Sequence, residues 1–274
     1  MSSRLTDTFA RLRAAKRTGL VTFLTAGDPS LDRSPDLLAA LERGGADVIE
    51  VGVPFSDPLA DGPVIQRASE RALAGGCTLA KTLDMLEQSR ESIGVPIVLF
   101  TYANPIVRYG VERFADRAAG VGVDGVLILD LPIEEARPYR SILAERGLDP
   151  IYLLSPTTTA ERISGAASMG SGFLYVISRL GVTGRRDTLS EDARVVTERI
   201  RQVTDMPLAL GFGLSRPEHV QAVGQWADAA VVGSALVEVI ERSRDADVSG
   251  AAESFVRWLN GDGDVSKMEH PWLS

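Results

Sequence analysis

The sequence predicts an α/β chain folded as a single-domain (β/α)8 barrel with an extra helix at its amino end. Three observations carry this expectation. Short β-branched runs alternate with helical patterns along almost the whole chain. The candidate strands start near residues 20, 47, 96, 124, 149, 172, 207 and 228, which gives the eight units that such a barrel requires. No GxGxxG turn follows the first strand, where an open doubly wound sheet commonly carries one. With 274 residues, 45% of them hydrophobic, the chain is long enough to bury one continuous core.

Each element has a local signal. Leu5, Phe9 and Leu12 recur at helical spacing and the pattern ends at Gly19, so an amphipathic helix precedes the first strand and could plug one end of the barrel. The stretch LVTFLTAGDPS, 20–30, reads as a strand turning at Gly27, with Ser30 as the cap of a helix that stops at Gly44 and Gly45. DVIEVG is the second strand. Helices are then expected over 63–74 and 78–91, followed by the strand PIVLFTY, a helix near 110–120 and the strand DGVLILD. A helix from Ile133 to Arg146, the strand PIYLL and a helix opened by Thr158 or Thr159 come next. GFLYVIS, a helix over 190–203, PLALGFG, a short helix from Ser215, DAAVVGS and a final helix complete the count. The barrel is expected to occupy residues 1–260, and 261–274 to form a C-terminal tail.

Composition excludes several function classes. Lys and Arg number 29 against 37 Asp and Glu, a net charge of −8, so the overall field repels nucleic acid and anionic membrane. An anionic ligand would have to be held locally. The first residues lack an apolar signal core and no apolar run reaches membrane-spanning length, which points to the cytoplasm. Cys77 is the only cysteine, His219 and His270 lack metal-ligand spacing, and lysine occurs only at 16, 81 and 267, away from any strand end. The expectation is carboxylate chemistry, with no metal and no cofactor held by this chain.

The carboxylates are found in DVIEVGVPFSDPLADG, 47–62. If Ile49 and Val51 face a covering helix, alternation turns Val48 and Glu50 toward the barrel interior. A buried carboxylate is costly unless paired with an arginine or used by a site. Asp61 closes the long loop that follows, and two carboxylates so placed suggest a proton-transfer pair, with Asp61 on the wetter loop remaining ionised. A second long connection, SRLGVTGRRDTLS, 178–190, has the composition of a lid. After the seventh strand Gly211 and Gly213 let backbone approach a ligand and Ser215 caps a helix; after the eighth, Gly233 and Ser234 open another. Loops seven and eight are the habitual phosphate position of this architecture. Phe23, Phe100, Tyr102, Leu127, Leu129, Leu153, Tyr175 and Phe212 fall at or near strand ends, where they would line a flat apolar pocket beside the phosphate. Tyr175 could instead contribute a hydroxyl.

These motifs together resemble the tryptophan synthase alpha subunits. EVGVPFSDPLADGPVIQ is the most specific, and AGDPS, TYANPI, GVDGVLILDLP, SRLGVTG, GFGLSRPEHV and VVGSALVE follow in family order between residues 5 and 260. The resemblance implies a TIM barrel that cleaves indole-3-glycerol phosphate to indole and glyceraldehyde 3-phosphate. It aligns Glu50 and Asp61 with the catalytic carboxylates, Thr183 with a lid threonine that bonds the catalytic aspartate, and Gly184, Gly213, Gly233 and Ser234 with the phosphate binders. It also implies a pyridoxal-phosphate beta subunit as partner in an alpha2-beta2 tetramer. Arg185 and Arg186 depart from the family's lid, which continues with a small residue. Three rivals remain: another phosphosugar barrel, which would not need the aromatic pocket; a catalytically silent regulatory subunit, which would not need the carboxylates; and a stand-alone lyase that releases indole.

Overall fold

The structure, a computed structural model, describes residues 2–177, 191–211 and 213–262. The chain runs α1 (Arg4–Ala14), β1 (Gly19–Thr25), α2 (Ser34–Arg43), β2 (Val48–Gly52), α3 (Pro63–Ala74), α4 (Leu79–Ser89), β3 (Ile97–Thr101), α5 (Ala103–Tyr109), α6 (Val111–Gly120) and β4 (Gly125–Ile128). It continues with α7 (Arg137–Glu145), β5 (Asp149–Leu154), α8 (Ala160–Met169), β6 (Leu174–Ile177), α9 (Glu191–Arg201), β7 (Leu208–Gly211), α10 (Pro217–Val223), β8 (Ala229–Val232), α11 (Ser234–Ser243) and α12 (Val248–Leu259). The eight strands are parallel and close in sequence order, β8 pairing back to β1. The single-domain (β/α)8 barrel is therefore as expected.

Alternation along each strand divides the core in two. Leu20, Leu24, Ile49, Val51, Ile97 and Leu99 face outward and pack under the helices. Val21, Val48, Val98, Leu127, Ile151 and Phe173 face inward and meet Leu5, Phe9 and Leu12 of α1. Phe9 and Phe173 pack with ring centroids 5.3 Å apart. The first helix thus plugs the amino end, as its spacing suggested. Outside the barrel α12 packs across α2 and α11, and Asn260 Nδ2 donates to the carbonyls of Gly44 and Gly45, which ties the last helix to the turn that stops α2.

Several boundaries differ from expectation, most of them at prolines. Proline lacks an N–H and fits best in the first turn of a helix. Pro138 accordingly starts α7 at Arg137 rather than Ile133, and Pro217 starts α10 beyond Ser215, whose side chain does not cap it. Pro105 lies in the first turn of α5, a helix with no counterpart among the expected elements. Ser30 does not cap α2 either: a 3-10 turn, Leu31–Arg33, intervenes, and Ser34 Oγ donates to Ser30 O while accepting from Gly27 N. Thr159, of the two candidates, caps α8.

Candidate active site at the carboxyl end of the barrel

Glu50 lies between Phe23 of β1 and Val98 of β3 in the strand register and is fully buried. Neither of its carboxylate oxygens has a hydrogen-bond partner among the described residues. With no charge among the described residues to hold it ionised, burial pushes its pKa from an ordinary 4.5 to about 8. At neutral pH it is mostly the protonated acid.

Asp61 is held differently. The loop after β2 turns on itself through Leu59 N to Asp57 O and Asp61 N to Pro58 O, and Gln66 Nε2 donates to Asp61 O at 2.9 Å. Tyr102, directly after β3, donates its hydroxyl to Asp61 Oδ2 at 3.0 Å and accepts from Ala60 N at 3.2 Å. Its ring stacks on Phe55 with centroids 5.0 Å apart. One tyrosine therefore ties down both the carboxylate and the loop that carries it. Asp61 is 9% exposed, drier than a loop position suggested, and burial raises its pKa to about 6 against the opposing pull of the Tyr102 bond. It is still largely ionised at pH 7.

The expected aromatic wall is partly assembled. Phe23 and Phe100 meet edge to face at 5.4 Å, and Phe100 lies 6.4 Å from Tyr175. The Tyr175 hydroxyl is kept protonated well above its ordinary pKa by burial first and then by the fields of Glu50 and Asp61, so it lies within electrostatic reach of both carboxylates. Leu127 is buried in the interior packing with Val98 and Ile151. Leu129 and Leu153 are partly buried at the mouth, where both also border a cavity of about 160 Å³ under the loop from β4 to α7. Tyr102 was expected as apolar lining, and its tie to Asp61 was missed. Its place directly after a strand puts it at the barrel mouth, but nothing local marks Asp61 as its partner.

The glycines after β7 and β8 serve three different needs. A Cβ on Gly211 would come within 2.7 Å of the Tyr175 hydroxyl, so this glycine makes room for Tyr175 rather than for a ligand. Gly213 has φ +67, a backbone conformation that side chains disfavour. Gly233 has no positive φ, and an added Cβ would meet nothing closer than 3.6 Å from Phe23. Among the described residues a Cβ there would make only ordinary van der Waals contact, so packing does not demand a glycine where Gly233 and Ser234 begin the ten-residue α11. Free N–H groups at such an end favour an anion. Thr183, Gly184 and Phe212 lie outside the described residues, as does the lid, 178–190.

Comparison with known proteins agrees with this geometry. A family profile described as tryptophan synthase alpha chain matches residues 9–260. The chain is 48% identical over 258 residues to the tryptophan synthase alpha chain of Solibacter usitatus, covering 94% of this chain and 97% of that one. It belongs to the tryptophan synthase alpha chain family. The family's Roseiflexus castenholzii member is also 48% identical, over 94% of this chain and its own full length. Among solved structures, the alpha subunit of Legionella pneumophila superposes with TM-score 0.86 at 35% identity, covering 96% of this chain and 98% of that one. A chain of the Pyrococcus furiosus tryptophan synthase complex superposes with TM-score 0.83 at 36% identity, covering 89% and 98%. Members of the family need no cofactor of their own. Among the described residues no helix is long and apolar enough to cross a membrane.

Proposed function

We propose that this chain performs its family's reaction, the retro-aldol cleavage of indole-3-glycerol phosphate, with Glu50 moving the protons and Asp61 providing a fixed negative charge. The observation that carries the assignment is the buried Glu50 carboxyl, without a hydrogen-bond partner among the described residues and poised near neutrality, at a barrel mouth where a tethered Asp61 and Glu50 both act on Tyr175. Protonated Glu50 gives its proton to indole C3, and Asp61, accepting from the ring N–H, stabilises the positive charge that develops there. The Glu50 carboxylate then takes the proton of the glycerol hydroxyl on the carbon bonded to C3. The C3–C bond breaks, its electron pair returns to the ring, and indole and glyceraldehyde 3-phosphate leave with Glu50 protonated again. Phe23, Phe100, Tyr175 and the leucines Leu127, Leu129 and Leu153 would surround the indole, joined by Phe212; Gly213, Gly233 and Ser234 would hold the phosphate, joined by Gly184 of the lid, with Thr183 reaching Asp61.

The same reading includes a partner. Indole is small, neutral and membrane-permeable, so an enzyme that releases it to solvent would lose it. A pyridoxal-phosphate beta subunit in an alpha2-beta2 tetramer would consume it, in the cytoplasm where a phosphorylated substrate is retained. The docking face would be the barrel mouth around Pro54 to Pro58 and Asn104-Pro105. In support, Leu59 and Val107, beside those segments, are 94% and 55% exposed. The test is an indole-release assay with and without a cognate beta subunit, alongside sedimentation. Complex formation with roughly 5- to 150-fold activation, a coupling of about 1–3 kcal/mol, is expected. Full activity alone with no complex would replace the synthase reading by that of a stand-alone lyase.

A further inference from the structure

We infer that His219 is a positioning residue for phosphate affinity, acting through the Ser215 backbone on the loop that carries Gly213. The inference rests on the proposal above that this loop binds the substrate's phosphate. His219 is the third residue of α10, 7% exposed, and its Nδ1 accepts the backbone N–H of Ser215 at 3.2 Å. The ring nitrogen acts in this bond as the acceptor for a backbone donor. The usual helix-start device runs from a third-position side chain to the N-cap N–H. Here the acceptor reaches one residue further back, past the N-cap Arg216, to the loop itself. Leu214 is buried and Gly213 has φ +67, and the backbone N–H of Ser215, two residues beyond that glycine, is taken by the imidazole. Arg216 and Pro217 offer no side-chain cap. His219 itself touches nothing expected to react; its effect on substrate is through where it places Gly213.

The side chain's acceptor atom, rather than its bulk or charge, is what this role requires. Asparagine can present an oxygen at nearly the position of Nδ1, whereas leucine fills the space and accepts nothing. The expected result is that His219→Leu raises KM for indole-3-glycerol phosphate about 3- to 10-fold with kcat within twofold, the effect of losing one hydrogen bond to an ordered loop. In calorimetry the same variant should weaken glycerol 3-phosphate to a similar degree and leave indole unchanged. His219→Asn should restore most of the affinity at matched thermal stability. Gly233→Asp, which puts a carboxylate at the neighbouring anion position, is run beside them. If Gly233→Asp abolishes glycerol 3-phosphate binding while His219→Leu changes nothing, the positioning role falls and the phosphate site stands. Indifference of both variants overturns both readings. A His219→Leu variant that loses kcat and KM together, or one that asparagine fails to rescue, reduces the histidine to an ordinary structural contact.

Discussion

Three half-buried aspartates at the amino end of the barrel and the buried Glu50 at its carboxyl end keep different company. At the amino end, Asp47, Asp124 and Asp228 stand just before β2, β4 and β8, and each accepts a backbone N–H from the start of the preceding strand: Leu20 at 2.9 Å, Ile97 at 2.8 Å and Leu208 at 2.7 Å. Each also meets arginine, Asp47 with Arg17, Asp124 with Arg4 and Arg90, and Asp228 with Arg13 and Arg201. Burial pushes the Asp228 carboxyl up, but the bonds from Arg13, the Leu208 N–H and Arg201 more than reverse it, and its pKa ends below the ordinary range; at Asp124 burial outweighs the Ile97 N–H and Arg4, and its pKa ends raised. At the carboxyl end Glu50 has no such partner among the described residues, and burial, opposed by no bond, carries its pKa to about 8. The lesson is that pairing makes a carboxylate a fixed part of the frame, while withholding the pair leaves a group that can exchange a proton near pH 7.

The strongest way to break this contrast is Glu50→Gln, which keeps the shape and removes the exchangeable proton. Cleavage should fall by ~10²–10⁴-fold in a folded protein. Stability should respond as well. Between about 4.5 and 8 the unfolded chain has released the Glu50 proton while the native protein keeps it, so wild type loses stability as pH rises through this window, by on the order of a few kcal/mol. Urea unfolding at pH 5 and pH 9 should show that loss in wild type and a smaller one in the variant. Turnover above a tenth of wild type would remove Glu50 from the chemistry.

Asp61→Asn comes next. It should abolish most cleavage, by ~10²-fold or more, and leave substrate binding within several-fold, because the charge matters chiefly once the indole is protonated. A large loss of affinity with turnover intact would make Asp61 a ground-state contact.

A sharper probe is the pH profile of kcat/KM. It should rise through about 6 as Asp61 ionises and fall through about 8 as Glu50 loses its proton. Tyr102→Phe removes a hydrogen bond that lowers the Asp61 pKa, so the rising limb should move to higher pH while the falling limb stays, with about a tenfold loss of rate near neutrality. Movement of the falling limb alone would mean that the tyrosine serves Glu50.

The smallest effect on catalysis is expected at the other end. Arg13→Ala takes one of two arginines from Asp228 and should cost ~1 kcal/mol of stability, a few degrees in Tm, with cleavage unchanged. A tenfold drop in activity would show that the two ends are coupled and that the contrast drawn here is too simple.

What the sequence disclosed followed from periodicity. Val48, Ile49 and Val51 around Glu50 fixed both the strand and the side on which the carboxylate falls, and Leu5, Phe9 and Leu12 announced the plug. Contacts between residues distant in the chain were not legible: nothing local in TYANPI says that Tyr102 will bond Asp61, 41 positions earlier. Nor does the motif reveal that Asp130 Oδ1 accepts from Ala103 N at 2.7 Å, at the start of α5. Cap signals misled for a physical reason, since Ser30 and Ser215 are good caps in isolation and the true start of a helix was set elsewhere, by the 3-10 turn before Ser34 and by Pro217. Gly211 was misread because the atom it avoids, the Tyr175 hydroxyl, belongs to the neighbouring strand.

The plug at the amino end has a consequence for traffic. With Leu5, Phe9 and Leu12 seated against the inner layer of side chains, the barrel is a blind alley, and whatever forms at its open end must back out by the door through which the substrate came. Two products then share one doorway. Their order of departure is set by what stands over the opening, so a body docked there governs admission and release together, and needs no access to the interior to do so.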